Sequence, residues 1–146
     1  MIIQDILIIT HDCFGEAAIN AVKMIAGHYG HLHTVGLCEG EDPVEFGDKI
    51  DQALSGFNNS DQVLVLVDFF GGTPANQIIR LLSRYPVKAI SGFNLPFLLD
   101  AYVKLSYGLL DSDCLEDLIN DARQSIIDLN HVYHELCQTQ SCESDF

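Results

Sequence analysis

The chain has 146 residues, 48% of them hydrophobic, which suits one compact domain with a buried core and excludes a disordered polypeptide. Asp and Glu number 21 against 7 Lys and Arg, a formal charge of −14 that argues against nucleic acid or anionic lipid as a partner.

Four short apolar runs read as buried strands: Ile6-Leu7-Ile8-Ile9-Thr10, Leu32 to Leu37, Val63 to Asp68, and Val87-Lys88-Ala89-Ile90. Amphipathic stretches alternate with them. The first places Ala18, Val22, Ile25 and Tyr29 on one face, the second Phe46, Ile50, Ala53 and Phe57, and the third Ala75, Ile78, Ile79 and Leu82. A fourth helix, from about Leu95 to Leu105, uses Leu95, Leu98, Leu99 and Tyr102. From Leu115 the apolar positions hold one register to Leu136, so the spacing predicts a single long final helix followed by a frayed tail, Gln138 to Phe146. The alternation predicts an α/β fold, an open and mainly parallel sheet with helices on both faces plus a C-terminal helical segment, and one domain over residues 1–137.

Compartment follows from what the sequence lacks. Its first residues carry no basic leader, and no apolar run approaches the roughly 20 residues of a spanning helix, so a cytoplasmic protein with no membrane insertion is expected. Cys13, Cys38, Cys114, Cys137 and Cys142 include no C-x-x-C pair, which predicts reduced thiols.

In an open α/β sheet, chemistry gathers at the carboxyl ends of the strands where connections diverge. For strand order 2-1-3-4 that point lies between strands one and three, which end in Thr10-His11-Asp12 and in Val67-Asp68. His11 and Asp68 should therefore face each other. Asp68 ends an otherwise apolar strand, where an unpaired charge is costly, and an imidazole partner would offset that cost. A carboxylate on one ring nitrogen fixes the tautomer and leaves the other nitrogen as a nucleophile. Gly71-Gly72-Thr73-Pro74 then reads as a glycine turn into a helix, with Thr73 at the N-cap and Pro74 at the first helical position. Its free amides and the helix dipole suit a phosphoryl group near His11, with Thr10, Gly71, Gly72 and Thr73 as phosphate-binding candidates. No mononucleotide or dinucleotide glycine fingerprint is present, and no cofactor is expected. Phe69, Phe70, Phe93, Pro96 and Phe97 should ring the crevice, either as helix packing or as a docking surface for a partner protein.

At these residues the chain resembles the IIA domain of the mannose/fructose/sorbose family of the bacterial phosphoenolpyruvate-dependent sugar phosphotransferase system. The matching features are Thr10-His11, Leu66 to Asn76, and Gly92-Phe93-Asn94-Leu95-Pro96, over roughly residues 1 to 105. The resemblance implies a flavodoxin-like three-layer sandwich in which His11 accepts a phosphoryl group from the phosphocarrier protein HPr and passes it to a IIB domain or a regulatory protein. It also implies that Asp68 orients the imidazole, that the Thr73 region binds phosphate, and that the protein is a homodimer. Two features depart from the family pattern. Asp12 stands where the family has glycine, as in IIA-like proteins with a regulatory role. Only Ser125 to Leu129 is available for the C-terminal strand that many dimeric relatives exchange, and its register predicts helix.

Other readings fare less well. A receiver domain would put its phosphoacceptor at Asp68 but needs an acidic Mg²⁺ cluster and a lysine that this chain lacks. A low-molecular-weight tyrosine phosphatase needs C-x5-R, and Ile19 follows Cys13 at that spacing. A non-enzymatic regulatory module and the dihydroxyacetone-kinase phosphocarrier remain alternatives. His28, His31 and His33 read as solvated turn residues and not as metal ligands, and His131 and His134 as surface residues. Residues 111–146 carry nine acidic side chains and one basic, so most of the charge excess lies away from His11.

Overall fold

In the computed structural model, which describes the backbone of residues 1–144 and the side chains of residues 1–140, four parallel strands form one sheet in the order β2-β1-β3-β4. The elements run β1 (Asp5–His11), α1 (Phe14–Ala26), β2 (Leu32–Leu37), α2 (Pro43–Ser55), β3 (Val63–Val67), α3 (Thr73–Leu81), β4 (Lys88–Ser91), α4 (Leu95–Ser106), α5 (Leu115–Gln124) and α6 (Leu129–Ser144).

Successive side chains of a strand point to opposite faces, so a continuous apolar run serves two cores at once. Ile6 and Ile8 of β1, with Leu64 and Leu66 of β3, pack against Ile19 and Val22 of α1, Leu98 and Tyr102 of α4, and Leu115 and Leu118 of α5. Leu7 and Ile9, with Val63, Val65 and Val67, pack on the other face against Phe46, Ile50 and Leu54 of α2 and Ala75 and Ile78 of α3. Each fully buried side chain of this kind stabilises the fold by roughly 1.5–3 kcal/mol relative to exposure. The expected three-layer arrangement and strand order are both present.

Two close approaches tighten the layers near the carboxyl edge of the sheet. A Cβ at Gly15 would lie 2.5 Å from Thr34 Oγ1, so the start of α1 sits directly on β2. A Cβ at Gly47 would lie 2.5 Å from Gln77 Oε1, so α2 and α3 meet without a spacer and Gln77 is buried.

The helix faces are shifted from those that the sequence predicts. In α1 the buried residues are Gly15, Ile19 and Val22, while Ile25 is exposed and Tyr29 lies beyond the helix. In α2 Leu54 is buried, and Phe57 lies past the helix end. In α3 Pro74, Ala75, Gln77 and Ile78 face inward, and Ile79 and Leu82 are exposed. In α4 Phe97, Leu98, Ala101, Tyr102 and Leu105 are buried, with Leu95 outside.

The predicted single final helix is two helices. The Ala122 carbonyl that would continue α5 accepts instead from Ser125 N–H at 3.2 Å, from the Ser125 hydroxyl at 2.6 Å and from Asn94 Nδ2 at 3.2 Å. A tertiary contact from the start of α4 thus ends α5. The Asp128 carboxylate then accepts from Asn130 N–H at 3.0 Å and opens α6 as a cap. That helix continues to Ser144, through most of the expected tail, while Asp145 and Phe146 lie outside the described residues. Residues 125–129 form no strand. Along α6, Leu129, Tyr133 and Leu136 are exposed, as are Ile126 and Ile127 before it. Among the described residues no helix is long and apolar enough to cross a membrane.

Candidate functional site

β1 lies between β2 and β3, so its end is the point at which connections leave in opposite directions. His11 is the last residue of β1 and Asp68 follows directly on β3. Asp68 Oδ2 accepts the His11 backbone N–H at 2.8 Å and also lies 2.7 Å from His11 Nδ1. An ionised carboxylate only accepts, so the ring proton sits on Nδ1 and Nε2 keeps its lone pair. Asp68 Oδ1 accepts the Phe69 N–H at 3.1 Å. The Asp68 side chain is nearly buried at 11% exposure, whereas that of His11 is 42% exposed, which makes its ring reachable by a large partner.

The ring is confined on its other sides. Phe69 stacks on it with centroids 5.1 Å apart and planes 19° from parallel. A Cβ at Gly72 would lie 2.9 Å from His11 Cε1 and 3.3 Å from Nε2, so the free nitrogen looks toward the backbone that opens α3. Gly71 has φ +98, in the left-handed region that favours glycine. The helix begins one residue earlier than the sequence reading has it. Gly72 is the N-cap, and Thr73 and Pro74 are the first two helical residues. No side chain caps this end, no acidic residue occupies its first turn, and the first-turn amides have no intrahelical acceptor. Amides and dipole therefore offer a positive field beside Nε2.

Thr10 is not at this surface. It is fully buried, and its hydroxyl accepts the Gly15 N–H at 2.9 Å, so it supports the start of α1 beneath the site instead of meeting an anion. The proposed docking ring divides likewise. Phe69, Phe70 and Pro96 are exposed, but Phe93, just before α4, and Phe97, within it, are buried, at 6% and 2%, because both join the core that contains Leu98, Ala101 and Tyr102. Those two pack the protein and offer no docking surface.

Phe14, the first residue of α1, is an exposed aromatic at the same edge of the sheet as His11 that the sequence reading missed. It stacks on Phe93 with centroids 5.7 Å apart and is itself half exposed. Its signal was available, since positions 14, 18 and 22 extend the inner stripe of α1 beyond the sheet edge. Asp12 has φ 49, and its backbone N–H donates to the Leu37 carbonyl at 2.8 Å. Its own carbonyl lies where a Cβ at Gly36 would fall, 2.4 Å away. Asp12 is exposed and lines a cavity of about 230 Å³ together with Cys13, Glu16, Thr34, Gly36 and Cys38, on the β2 side of His11.

The arrangement equips one imidazole nitrogen as a nucleophile, fixes the other with a carboxylate, and sets an uncapped helix start alongside. A receiver-like role for Asp68 fits poorly, because its carboxylate is nearly buried and already engaged by three donors. The remaining histidines lie elsewhere. His31 Nδ1 and His33 Nε2 share Asp5 Oδ1 at 3.2 and 2.9 Å at the opposite end of the sheet, and His131 pairs with Glu135. The described cysteines Cys13, Cys38, Cys114 and Cys137 are free thiols.

Comparison with known proteins gives concordant matches. The family described as PTS system fructose IIA component matches residues 5–118. The PTS system fructose-specific EIIA component of Bacillus subtilis is 31% identical over 119 residues, 81% of this chain and 78% of that protein. The PTS system mannose-specific EIIAB component of Escherichia coli K12 is 27% identical over 96 residues, covering 65% of this chain and 30% of that longer protein. Among solved structures, the phosphotransferase system component EIIA from Streptococcus agalactiae superposes with a TM-score of 0.75 at 25% identity, covering 87% of this chain and 98% of that one. The PTS IIA protein associated with the fucose utilization operon from Streptococcus pneumoniae gives 0.73 at 28% identity, covering 90% and 97%.

Proposed function

Since the chain belongs to the fructose/mannose family of PTS IIA components, we propose that it is a phosphohistidine carrier. In this reading His11 accepts a phosphoryl group from phospho-HPr and passes it to a IIB domain or a regulatory protein. The single observation that carries the assignment is the Nδ1 contact between His11 and Asp68 Oδ2, which leaves Nε2 free beside the start of α3.

The step follows from that geometry. The Nε2 lone pair forms a bond to phosphorus while the bond between phosphorus and the donor atom breaks, its electron pair leaving with the donor. His11 keeps its Nδ1 proton, so the phosphorylated ring is cationic, and Asp68 offsets that charge at 2.7 Å. The Gly72 and Thr73 amides and the Thr73 hydroxyl are proposed to hold the phosphoryl oxygens, with Gly71 giving the turn its approach. Transfer onward reverses the same changes. Positioning and charge stabilisation supply most of the catalysis in such steps, and the site contains little else.

The partners are macromolecular in this reading. Phe14, Phe70 and Pro96 are exposed and follow the carboxyl ends of β1, β3 and β4, the edge of the sheet that carries His11, and they are proposed to meet a carrier protein that must bring its own phosphoryl group into contact. The working unit is proposed to be the domain of residues 1–137, acting in the cytoplasm. A homodimer is proposed as well, supported by the exposed apolar residues Leu129, Tyr133 and Leu136 of α6 and by an apolar cavity of about 170 Å³ beside the edge strand β4.

Incubation with phosphoenolpyruvate, Enzyme I and HPr tests the assignment. Label on the chain that is acid-labile, alkali-stable and lost in His11→Ala is expected. Label that persists in His11→Ala, or that shows acyl-phosphate lability and disappears only in Asp68→Ala, would overturn it.

A further inference from the structure

We infer that Phe69 is a positioning residue for the chemistry at His11, which rests on the reading of His11 as the phosphoryl acceptor. A hydrogen bond at Nδ1 fixes one atom of the imidazole but leaves the ring plane free to tilt about that contact. The face of Phe69, 5.1 Å away and 19° from parallel, removes that freedom. Gly72 closes the box. A Cβ there would lie 2.9 Å from His11 Cε1 and 3.0 Å from Phe69 Cζ, so both rings border the same point of the backbone before α3.

Asp68 links the parts. One carboxylate oxygen holds the His11 backbone and ring, and the other holds the backbone N–H of Phe69. The same acid therefore sets the imidazole and the residue that stacks on it. Phe69 remains about half exposed although it follows a wholly buried strand, so its ring is held at the surface and over His11 and not in the core.

The stack also bears on the charge of the intermediate. When Nε2 bonds to phosphorus and the donor bond breaks, Nδ1 keeps its proton and the ring becomes cationic. An aromatic face over a cation at a partly exposed site favours the charged form by about twofold to fivefold. Phe69 thus aims Nε2 before transfer and favours the phosphorylated ring after it.

Docking and positioning separate in one set of measurements on the full chain. Wild type, Phe69→Ala, Phe69→Leu and Phe69→Tyr are phosphorylated with phospho-HPr over a concentration series and, separately, with phosphoramidate, a small donor that needs no protein docking. In Phe69→Ala the saturating rate with phospho-HPr and the phosphoramidate rate should both fall by about tenfold to a hundredfold, as a misaimed nucleophile requires, while the half-saturating HPr concentration changes little. Phe69→Tyr should restore both rates and Phe69→Leu should not, because the aliphatic side chain is apolar but has no ring face. A rise in half-saturation alone, with both rates intact, overturns the inference, as does full rescue by leucine. A wild-type chain that takes no phosphoryl group on His11 from either donor overturns the underlying reading and this inference with it. A labelled wild type with an unaffected Phe69→Ala overturns this inference alone.

Discussion

One oxygen of Asp68, Oδ2, accepts both the backbone N–H of His11 at 2.8 Å and its ring Nδ1 at 2.7 Å. Backbone and side chain of the same residue are thereby fixed to a single atom on the neighbouring strand, and the ring cannot turn over without giving up one of the two bonds. Removing the carboxylate should therefore affect both fold and chemistry. Asp68→Ala is expected to lower stability by about 1–3 kcal/mol, from donors left without their charged acceptor, and to slow phosphorylation of His11 by on the order of 10²-fold or more. Denaturant titration and single-turnover phosphorylation measure the two effects. An unchanged phosphorylation rate would show that the carboxylate does not set the tautomer.

Gly72 separates crowding from backbone strain. Its φ of −92 and ψ of 174 are open to any residue, so alanine fits the backbone there. Its Cβ would nevertheless press on His11 Cε1 at 2.9 Å and on Phe69 Cζ at 3.0 Å. Gly72→Ala should lower the phosphorylation rate by more than about tenfold while leaving the denaturation midpoint nearly unchanged. A large loss of stability with normal transfer would contradict this placement of the ring.

The four strands and the His11–Asp68 pair were legible in the sequence because each depends on a local pattern. Runs such as Val63 to Val67 are apolar on both faces, and an acid at the end of such a run calls for a partner. The end of α5 was not legible, because Asn94, 28 residues earlier, takes the Ala122 carbonyl. Asp128 before Leu129 and Asn130 carried a capping signal, but an unbroken apolar register masked it. Thr10 and the pair Phe93 and Phe97 were misplaced for a related reason. Whether a residue at a strand or helix end turns outward is decided by what packs on it, here the Gly15 amide for Thr10 and the α4 core for the two aromatics.

The acid end of the stability profile should depend on Asp51. The hydroxyl of Tyr85, together with Arg84, holds its carboxyl below the ordinary 3.8, and the same contact pushes the Tyr85 hydroxyl above its ordinary 10.0. A lowered carboxyl contributes stability above its unfolded value and loses it as pH falls through the folded one. A raised phenol contributes below its unfolded value and loses it as pH rises through the folded one. Tyr85→Phe should therefore destabilise the fold at about pH 7 and have a smaller effect at an acid pH below the folded value of Asp51, where its carboxyl is protonated in both states. Urea titrations at the two pH values check this, and an equal loss at both would refute the sign.

The exposed residues of α6 give the dimer proposal its own test. Leu129, Tyr133 and Leu136 form one stripe at helical spacing, and all are more than half exposed. Replacing all three with serine should shift the protein from dimer to monomer in sedimentation velocity, with phosphorylation of His11 by phospho-HPr retained. A dimer that survives the triple substitution would place the contact elsewhere.

The central claim concerns one atom, Nε2 of His11. Phosphorus–nitrogen coupling in ³¹P and ¹⁵N spectra of the phosphorylated, histidine-labelled chain reads it directly. A coupling assigned to Nε2 of His11, with Nδ1 still protonated toward Asp68, is the predicted result; a phosphoryl group on Nδ1, on another histidine, or on the Asp68 carboxylate would contradict it.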